Sequence, residues 1–105
     1  YVTTARRGSS GTPVEVDLEQ NYPNPFNPTT TITYSLKSKR QVVLKIFDSS
    51  GREIRRLVSE VQPMGDHKVV WDGTNRSGAP VASGIYFYRL QVDNTTVTKK
   101  ALYIK

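Results

Sequence analysis

Two places in this chain carry side chains suited to metal binding or acid–base catalysis. His67 is the single histidine, and it lies in phase with Val69 and Trp71, with no second ligand at a metal spacing. The loop at residues 72–77 offers carboxylate, hydroxyl and amide oxygens, but it lacks the spaced acids and final glutamate of a calcium loop. We therefore expect a histidine packed on a strand, and a loop whose Asp and Asn side chains bond their own backbone.

Motifs for covalent or phosphoryl chemistry do not occur in the sequence. The chain has no cysteine, which removes disulfides, thiolate metal sites and cysteine nucleophiles together. There is no Gly-x-Ser-x-Gly pattern and no glycine-rich phosphate loop. The nine acidic residues fall mostly at turns or on wet strand faces, with nothing nearby to shift a pKa toward catalytic use. We expect a protein that is not an enzyme and that needs no metal or cofactor.

Aromatic side chains offer another surface for ligand binding. Trp71, Tyr86 and Tyr88 share the phase of aliphatic residues, and we predict that they pack in a core. Phe87 lies on the opposite phase and is predicted to be the more exposed aromatic. With Tyr103 it offers rings on which sugars stack, so a carbohydrate-binding or structural accessory module of a secreted polysaccharide-degrading enzyme is one hypothesis.

The net charge is +6, from 15 lysines and arginines against 9 aspartates and glutamates. Such a balance is compatible with an acidic partner, but the basic residues are spread along the chain rather than clustered. They are Arg6, Arg7, Lys37, Lys39, Arg40, Lys45, Arg52, Arg55, Arg56, Lys68, Arg89, Lys99 and Lys100. We interpret them as solvated faces and as protection of strand edges, with a polyanion-binding patch as the alternative, and we expect no nucleic-acid partner.

The elements that must hold these residues are β-strands. Apolar and polar residues alternate in several short stretches separated by turn residues, and no segment keeps a 3.6-residue period. About seven such strands predict an all-β fold, an Ig-like antiparallel β-sandwich. Residues 1–13 have almost nothing to bury and are typical of a linker from an upstream domain, which leaves 14–105 as the folded domain, with its first strand starting at Val14. No apolar run approaches the ~20 residues of a membrane span.

Two strands break the alternating pattern. The adjacent pair Leu57 and Val58 predicts a bulge or a strand end. In the last strand Val97 and Tyr103 fall on a different phase from Leu102, and a bulge near residues 99–100 would reconcile them.

The segment at residues 21–28 is unlike an ordinary turn. Three prolines and three asparagines frame Tyr22 and Phe26 just before a predicted strand. Each proline fixes φ and favours an extended residue before it, so the segment is predicted to be stiff and non-helical. We expect it to clamp both aromatic side chains against a sheet.

These motifs together resemble a known family. They are the opening at residues 20–30, the strand and turn at 44–53, the positions Gly65, His67 and Trp71 followed by Asp72-Gly73, the stretch 78–88, and the closing Lys105. In this order they resemble the C-terminal sorting domain (type A) of proteins exported by the Bacteroidetes type IX secretion system. The core is also similar to the Ig-like domain of the flagellar hook-capping protein. The proline-asparagine opening is the feature that we expect to separate the two resemblances.

The first resemblance implies a monomeric module, without a membrane span, at the C-terminus of a larger cargo protein. Such a module is read by the outer-membrane secretion machinery after the cargo reaches the periplasm. A signal peptidase of that system commonly removes it, and the cargo is released from the cell or joined to anionic lipopolysaccharide at the surface.

The resemblance also implies which residues the machinery recognises. They are Gly84, Tyr86, Lys99, Lys100, Leu102, Ile104 and Lys105. A last strand at a sheet edge has unpaired backbone groups that a partner strand can join. The alternative is an ordinary closing strand whose lysines only protect the edge.

Overall fold

Seven β-strands in two antiparallel sheets make up the chain in the computed structural model, which describes residues 16–105. In chain order they are β1 (Val16–Leu18), β2 (Thr30–Leu36), β3 (Arg40–Asp48), β4 (Glu53–Gln62), β5 (Gly65–Trp71), β6 (Gly84–Val92) and β7 (Thr95–Tyr103). The first sheet has the order β1-β2-β5 and the second has the order β4-β3-β6-β7. The predicted all-β, Ig-like sandwich of seven strands is confirmed.

The predicted linker at residues 1–13 and the predicted strand start at Val14 lie outside the described residues. Within the described range, β1 shows the expected alternation, because Asp17 is exposed while Val16 and Leu18 pack against the core. Residues 16–105 contain no helix long and apolar enough to cross a membrane.

The core lies between the inner faces of the two sheets. Its buried hydrophobic residues are Leu18, Phe26, Ile32, Tyr34, Leu36, Val42, Leu44, Ile46, Val58, Trp71, Tyr86, Tyr88, Leu90, Val92, Ala101 and Tyr103. The predicted burial of Trp71, Tyr86 and Tyr88 is therefore confirmed. The prediction of Tyr103 as a sugar-stacking residue is wrong, because the inward phase of β7 leaves it only 5% exposed. Phe87 lies half-buried on the opposite phase of β6.

The two predicted bulges have opposite outcomes. In the β3–β4 pair, Leu44 lies opposite Val58 while Lys45 lies opposite Arg56, so Leu57 is the extra residue of a bulge, as predicted. In the β6–β7 pair, the register runs without interruption from Gly84 to Val92, and the bulge predicted near residues 99–100 is wrong. The alternation of β7 is regular because Leu102 and Ile104 point away from the core, not into it.

The polar loop after β5 bonds to its own backbone, as predicted. The Asp72 Oδ1 atom accepts a hydrogen bond of 3.2 Å from the Thr74 amide. The Asn75 Oδ1 atom accepts hydrogen bonds of 3.0 Å from the Ser77 amide and 3.1 Å from the Ala79 amide. Hydrogen bonds from Thr74 lower the pKa of Asp72. These side-chain oxygens already hold the turn together.

His67 packs on a strand, as the sequence predicts. Its ring stacks on the ring of Tyr34, with a centroid distance of 5.4 Å and an interplanar angle of 24°. Its Nε2 atom lies 2.8 Å from the Pro63 carbonyl oxygen. Across residues 16–105 no group of three or more His, Cys, Asp or Glu side chains is arranged to hold a metal ion.

Candidate recognition surface

The proline-asparagine segment runs along the outer edge of β7. The Phe26 amide donates to the Leu102 carbonyl at 2.9 Å, and the Ile104 amide donates to the Phe26 carbonyl at 3.1 Å. These bonds form a parallel bridge between Phe26 and Tyr103. Upstream, the Tyr22 amide and carbonyl pair with Thr31 of β2. The segment therefore joins the edge of one sheet to the other.

The two aromatic residues of this segment have opposite environments. Phe26 is 1% exposed, and its ring centroid lies 4.8 Å from that of Tyr103 and 5.3 Å from that of Trp71. Tyr22 is 80% exposed. The predicted clamping is confirmed for Phe26 and wrong for Tyr22, because Tyr22 uses its backbone, not its ring, to join the sheet.

The asparagines and a buried tyrosine provide the polar partners that prolines cannot. Asn21 is 2% exposed, and its Nδ2 atom donates to the Thr30 hydroxyl at 2.9 Å and to the Pro23 carbonyl at 3.1 Å. The backbone amide of Asn21 donates to the Tyr88 hydroxyl at 2.8 Å, and that hydroxyl donates to the Glu19 carbonyl at 2.7 Å. Burial raises the pKa of Tyr88, which keeps its hydroxyl protonated as a donor. The segment is thus fixed by a buried network.

The edge of β7 is covered over only part of its length. Asn24 Oδ1 accepts a hydrogen bond of 2.9 Å from the Leu102 amide, and Gln20 Nε2 donates to the Lys100 carbonyl at 2.7 Å. Upstream of Lys100, β7 has no strand on its outer side within the described residues. As far as residues 16–105 show, the outer edge of β7 is therefore open to a partner strand at the Thr95 end and closed at residues 100–104. The sequence predicts that the segment packs against a sheet, but not that it covers this edge.

The residues predicted to be recognised lie in different environments. Tyr86 is 6% exposed and donates a hydrogen bond of 2.6 Å to the Ala82 carbonyl, so its side chain is not available to a partner of the folded domain. Gly84 opens β6 opposite Tyr103. The other predicted residues lie at or near the surface: Lys99 and Leu102 are half-buried, and Lys100, Ile104 and Lys105 are exposed.

An exposed apolar surface forms where the segment meets the tail. Ile85 is 43% exposed and Ile104 is 49% exposed, and Pro25 lies between two shallow depressions. One, of about 240 Å³, is lined by Asn24, Pro25, Ile85, Lys100 and Leu102. The other, of about 340 Å³, is lined by Pro23, Pro25, Phe26, Asn27 and Ile104. We call the residues lining these two depressions the tail surface. The predicted recognition residues did not include Pro25, which lines both depressions, or Ile85, which lines one of them.

Fold and surface together define an Ig-like β-sandwich module whose opening segment and last strand form one exposed face. The sequence model of the FlgD Ig-like domain matches residues 21–96, and the chain belongs to this family. The matched range begins at Asn21 and includes the proline-asparagine segment. A matched range does not show which residues the family carries there, so the expected separation of the two resemblances by this segment stays a prediction.

Solved structures share this fold. The crystal structure of dimeric latent PorU from Porphyromonas gingivalis aligns over 94% of this chain with a TM-score of 0.73 and 23% identity. PorZ, described as an essential surface component of the type IX secretion system of the same organism, aligns over 88% with a TM-score of 0.57 and 24% identity. FlgD from P. aeruginosa aligns over 70% with a TM-score of 0.57 and 24% identity.

The chain corresponds to only a small share of the PorU and PorZ chains. The alignments span 10% of the PorU chain and 11% of the PorZ chain, compared with 60% of the FlgD chain. At these identities the likeness shows the fold. The search of curated proteins finds no match.

Proposed function

We propose that this domain is a non-catalytic sorting module that directs a larger cargo protein through the type IX secretion system to the cell surface or the medium. The observation that carries the proposal is the pairing of Phe26 with the last strand, through hydrogen bonds to Leu102 and from Ile104. These bonds bring the proline-asparagine opening and the closing strand, which are the first and last motifs of the sorting-domain resemblance, into one surface. The shared fold with segments of PorU and PorZ supports the same assignment.

The geometry favours recognition of a folded shape over recognition of a free tail peptide. The backbone of Leu102 is bonded to Asn24 and Phe26, and the Lys105 amide donates to the Ser83 hydroxyl at 2.9 Å. A receptor that needed an extended tail would first have to break these bonds. A receptor that contacts side chains can bind Pro25, Ile85 and Ile104 in the positions that they hold in the folded domain.

The partners follow from this role. We propose the outer-membrane secretion machinery as the reader of the tail surface, and the signal peptidase of that system as the enzyme that removes the domain. The cargo is then released or joined to anionic lipopolysaccharide. The domain acts as a monomer at the cell surface or in the medium after passage through the periplasm.

The test is an export assay with surface variants rather than a truncation. Removing residues after Lys100 would also delete the partners of Phe26, so loss of export would not separate recognition from folding. Residues 1–105 are fused to a periplasm-targeted fluorescent protein in a host with a working type IX system. Ile104→Ser alters the tail surface, and Val70→Ser, at a position 59% exposed on β5, is the matched control.

We expect the parent fusion and the Val70→Ser control to reach the surface or the medium while Ile104→Ser stays in the periplasm. Periplasmic retention of a correctly folded parent fusion would contradict the sorting role. Export of Ile104→Ser at the parental level would be compatible with the sorting role, but it would show that the machinery does not recognise the tail surface.

A further inference from the structure

A row of cations crosses the outer face of the four-stranded sheet. The strand register places Arg56 of β4 opposite Lys45 of β3, and Lys45 opposite Arg89 of β6. We call these three residues the basic band. Adjacent strands are about 4.8 Å apart, so the band brings three like charges together, and such pairs destabilise a sheet.

The band is only partly neutralised by the protein itself. Glu53 lies 3.3 Å from the Lys45 ammonium and 3.8 Å from the guanidinium of Arg76. Within residues 16–105 neither Arg56 nor Arg89 has a carboxylate at ion-pair distance. A cleft of about 360 Å³ lined by Arg55, Arg56, Arg76 and Glu53 continues the positive surface at the β4 edge. The charge of this face therefore suits an anionic ligand.

Aromatic rings lie directly beside the band. Phe47 of β3 and Phe87 of β6 lie opposite each other two register positions along, as the next pair on the same face, and the guanidinium carbon of Arg89 lies 4.3 Å from the centroid of the Phe47 ring. These residues and Thr98 line a depression of about 250 Å³ against the turn after β3. Asp48 also borders it, but both of its carboxylate oxygens bind Arg52.

We propose that this face binds an acidic polysaccharide whose chain lies across the strands. One sugar ring occupies the depression against Phe87, and its carboxylate binds Arg89. Carboxylates of further sugars along the chain bind Lys45 and Arg56, because the strand spacing of about 4.8 Å is similar to the rise per sugar residue of an extended glycan. The inference does not rest on the sorting role, since it concerns binding by the domain alone.

The aromatic geometry favours a glycan over single-stranded nucleic acid. Proteins that hold single strands stack successive bases on open aromatic faces. Here the Arg89 guanidinium covers one face of Phe47, so the two rings do not form a continuous stacking platform. A pyranose needs a single apolar contact, which Phe87 provides, together with charged partners for its carboxylate.

The test is calorimetric titration of the purified chain with polygalacturonate at moderate salt. Dextran serves as the neutral glycan, and poly-glutamate and a thymidine oligonucleotide serve as acidic polymers without sugar acids. Arg89→Gln removes the central cation and Phe87→Leu removes the ring. Lys68→Gln, at an exposed position on β5 of the other sheet, changes net charge by the same amount as Arg89→Gln.

We expect binding to polygalacturonate that Arg89→Gln weakens about tenfold and Phe87→Leu weakens severalfold, with Lys68→Gln close to the parent. Circular dichroism of each variant verifies the fold. Three results would overturn the proposal: no binding of polygalacturonate by the parent, equal binding of poly-glutamate or the oligonucleotide, or equal loss in the Lys68→Gln control.

Discussion

The rings of Phe26 and Tyr103 stack at a centroid distance of 4.8 Å and an interplanar angle of 20°, although they lie 77 positions apart in the chain (103 minus 26). Their backbones are also joined by a parallel bridge. Offset aromatic pairs of this kind add to the free energy of burying two large apolar side chains. The opening segment and the last strand therefore form one packed unit.

Phe26→Ala is expected to lower the free energy of unfolding by about 3–5 kcal/mol, the cost of deleting a buried phenylalanine ring and leaving a cavity. The ring is 1% exposed between Tyr103 and Trp71. Urea unfolding followed by Trp71 fluorescence measures the change. The control Tyr22→Ala, at a position 80% exposed, should stay within about 0.5 kcal/mol of the parent. Similar losses for the two variants would contradict the proposed role of Phe26.

Gly73→Ala is expected to destabilise the domain more than Gly51→Ala does. Both glycines have positive φ, 74° at Gly73 and 90° at Gly51, so each substitution carries a backbone cost of about 1 kcal/mol. A Cβ atom at Gly73 would also lie 3.0 Å from the Tyr103 ring, whereas one at Gly51 meets nothing within 4 Å. Thermal unfolding of the two variants side by side isolates the contact with Tyr103, and equal melting temperatures would argue against it.

Asn21→Ala is expected to cost about 1–3 kcal/mol of stability, because it leaves the buried Thr30 hydroxyl oxygen without its donor, while the Pro23 carbonyl keeps the hydrogen bond that the Thr30 hydroxyl donates. Its side-chain amide bonds the Thr30 hydroxyl and the Pro23 carbonyl in a site that is 2% exposed. Chemical denaturation gives the change in stability. Gln91→Ala, at an exposed position on the outer face of β6, is the control and should change little.

Stability should fall in acid through Asp48. Hydrogen bonds from the Ser50 hydroxyl and the Arg52 amide lower the pKa of Asp48 to about 2. Because this folded-state pKa lies below the unfolded value of about 3.9, the carboxylate contributes stability above pH 4. That contribution is lost as the pH falls toward 2.

Asp48→Asn isolates this effect. Melting temperatures between pH 2 and pH 7 should decrease less steeply in the variant than in the parent as the pH falls through this window. At pH 7 the variant should be the less stable of the two, because it has lost the charge-assisted bonds to residues 50 and 52. Parallel curves for the two proteins would show that another carboxylate dominates.

The alternation of apolar residues was enough to predict most of the fold. On β6 it correctly assigned Tyr86 and Tyr88 to the core, because a strand alternates its side chains between two faces whatever its neighbours are. It failed at the end of β7, where the apolar residues Leu102 and Ile104 led to the prediction of a bulge that the strand register does not contain. Leu102 lies on the outward phase because it pairs in register with Ile85 of β6, a relationship between two strands that alternation within one strand does not reveal.

The sequence by itself determined the strands, their inward faces and the stiffness of the proline-asparagine segment, because alternation and proline geometry are local properties. Only the tertiary structure decided where that segment lies, since hydrogen bonds between Phe26 and β7 depend on how the two sheets are arranged. The same holds for the basic band. Lys45, Arg56 and Arg89 are scattered along the chain and become neighbours only through strand register, which depends on pairing between distant segments.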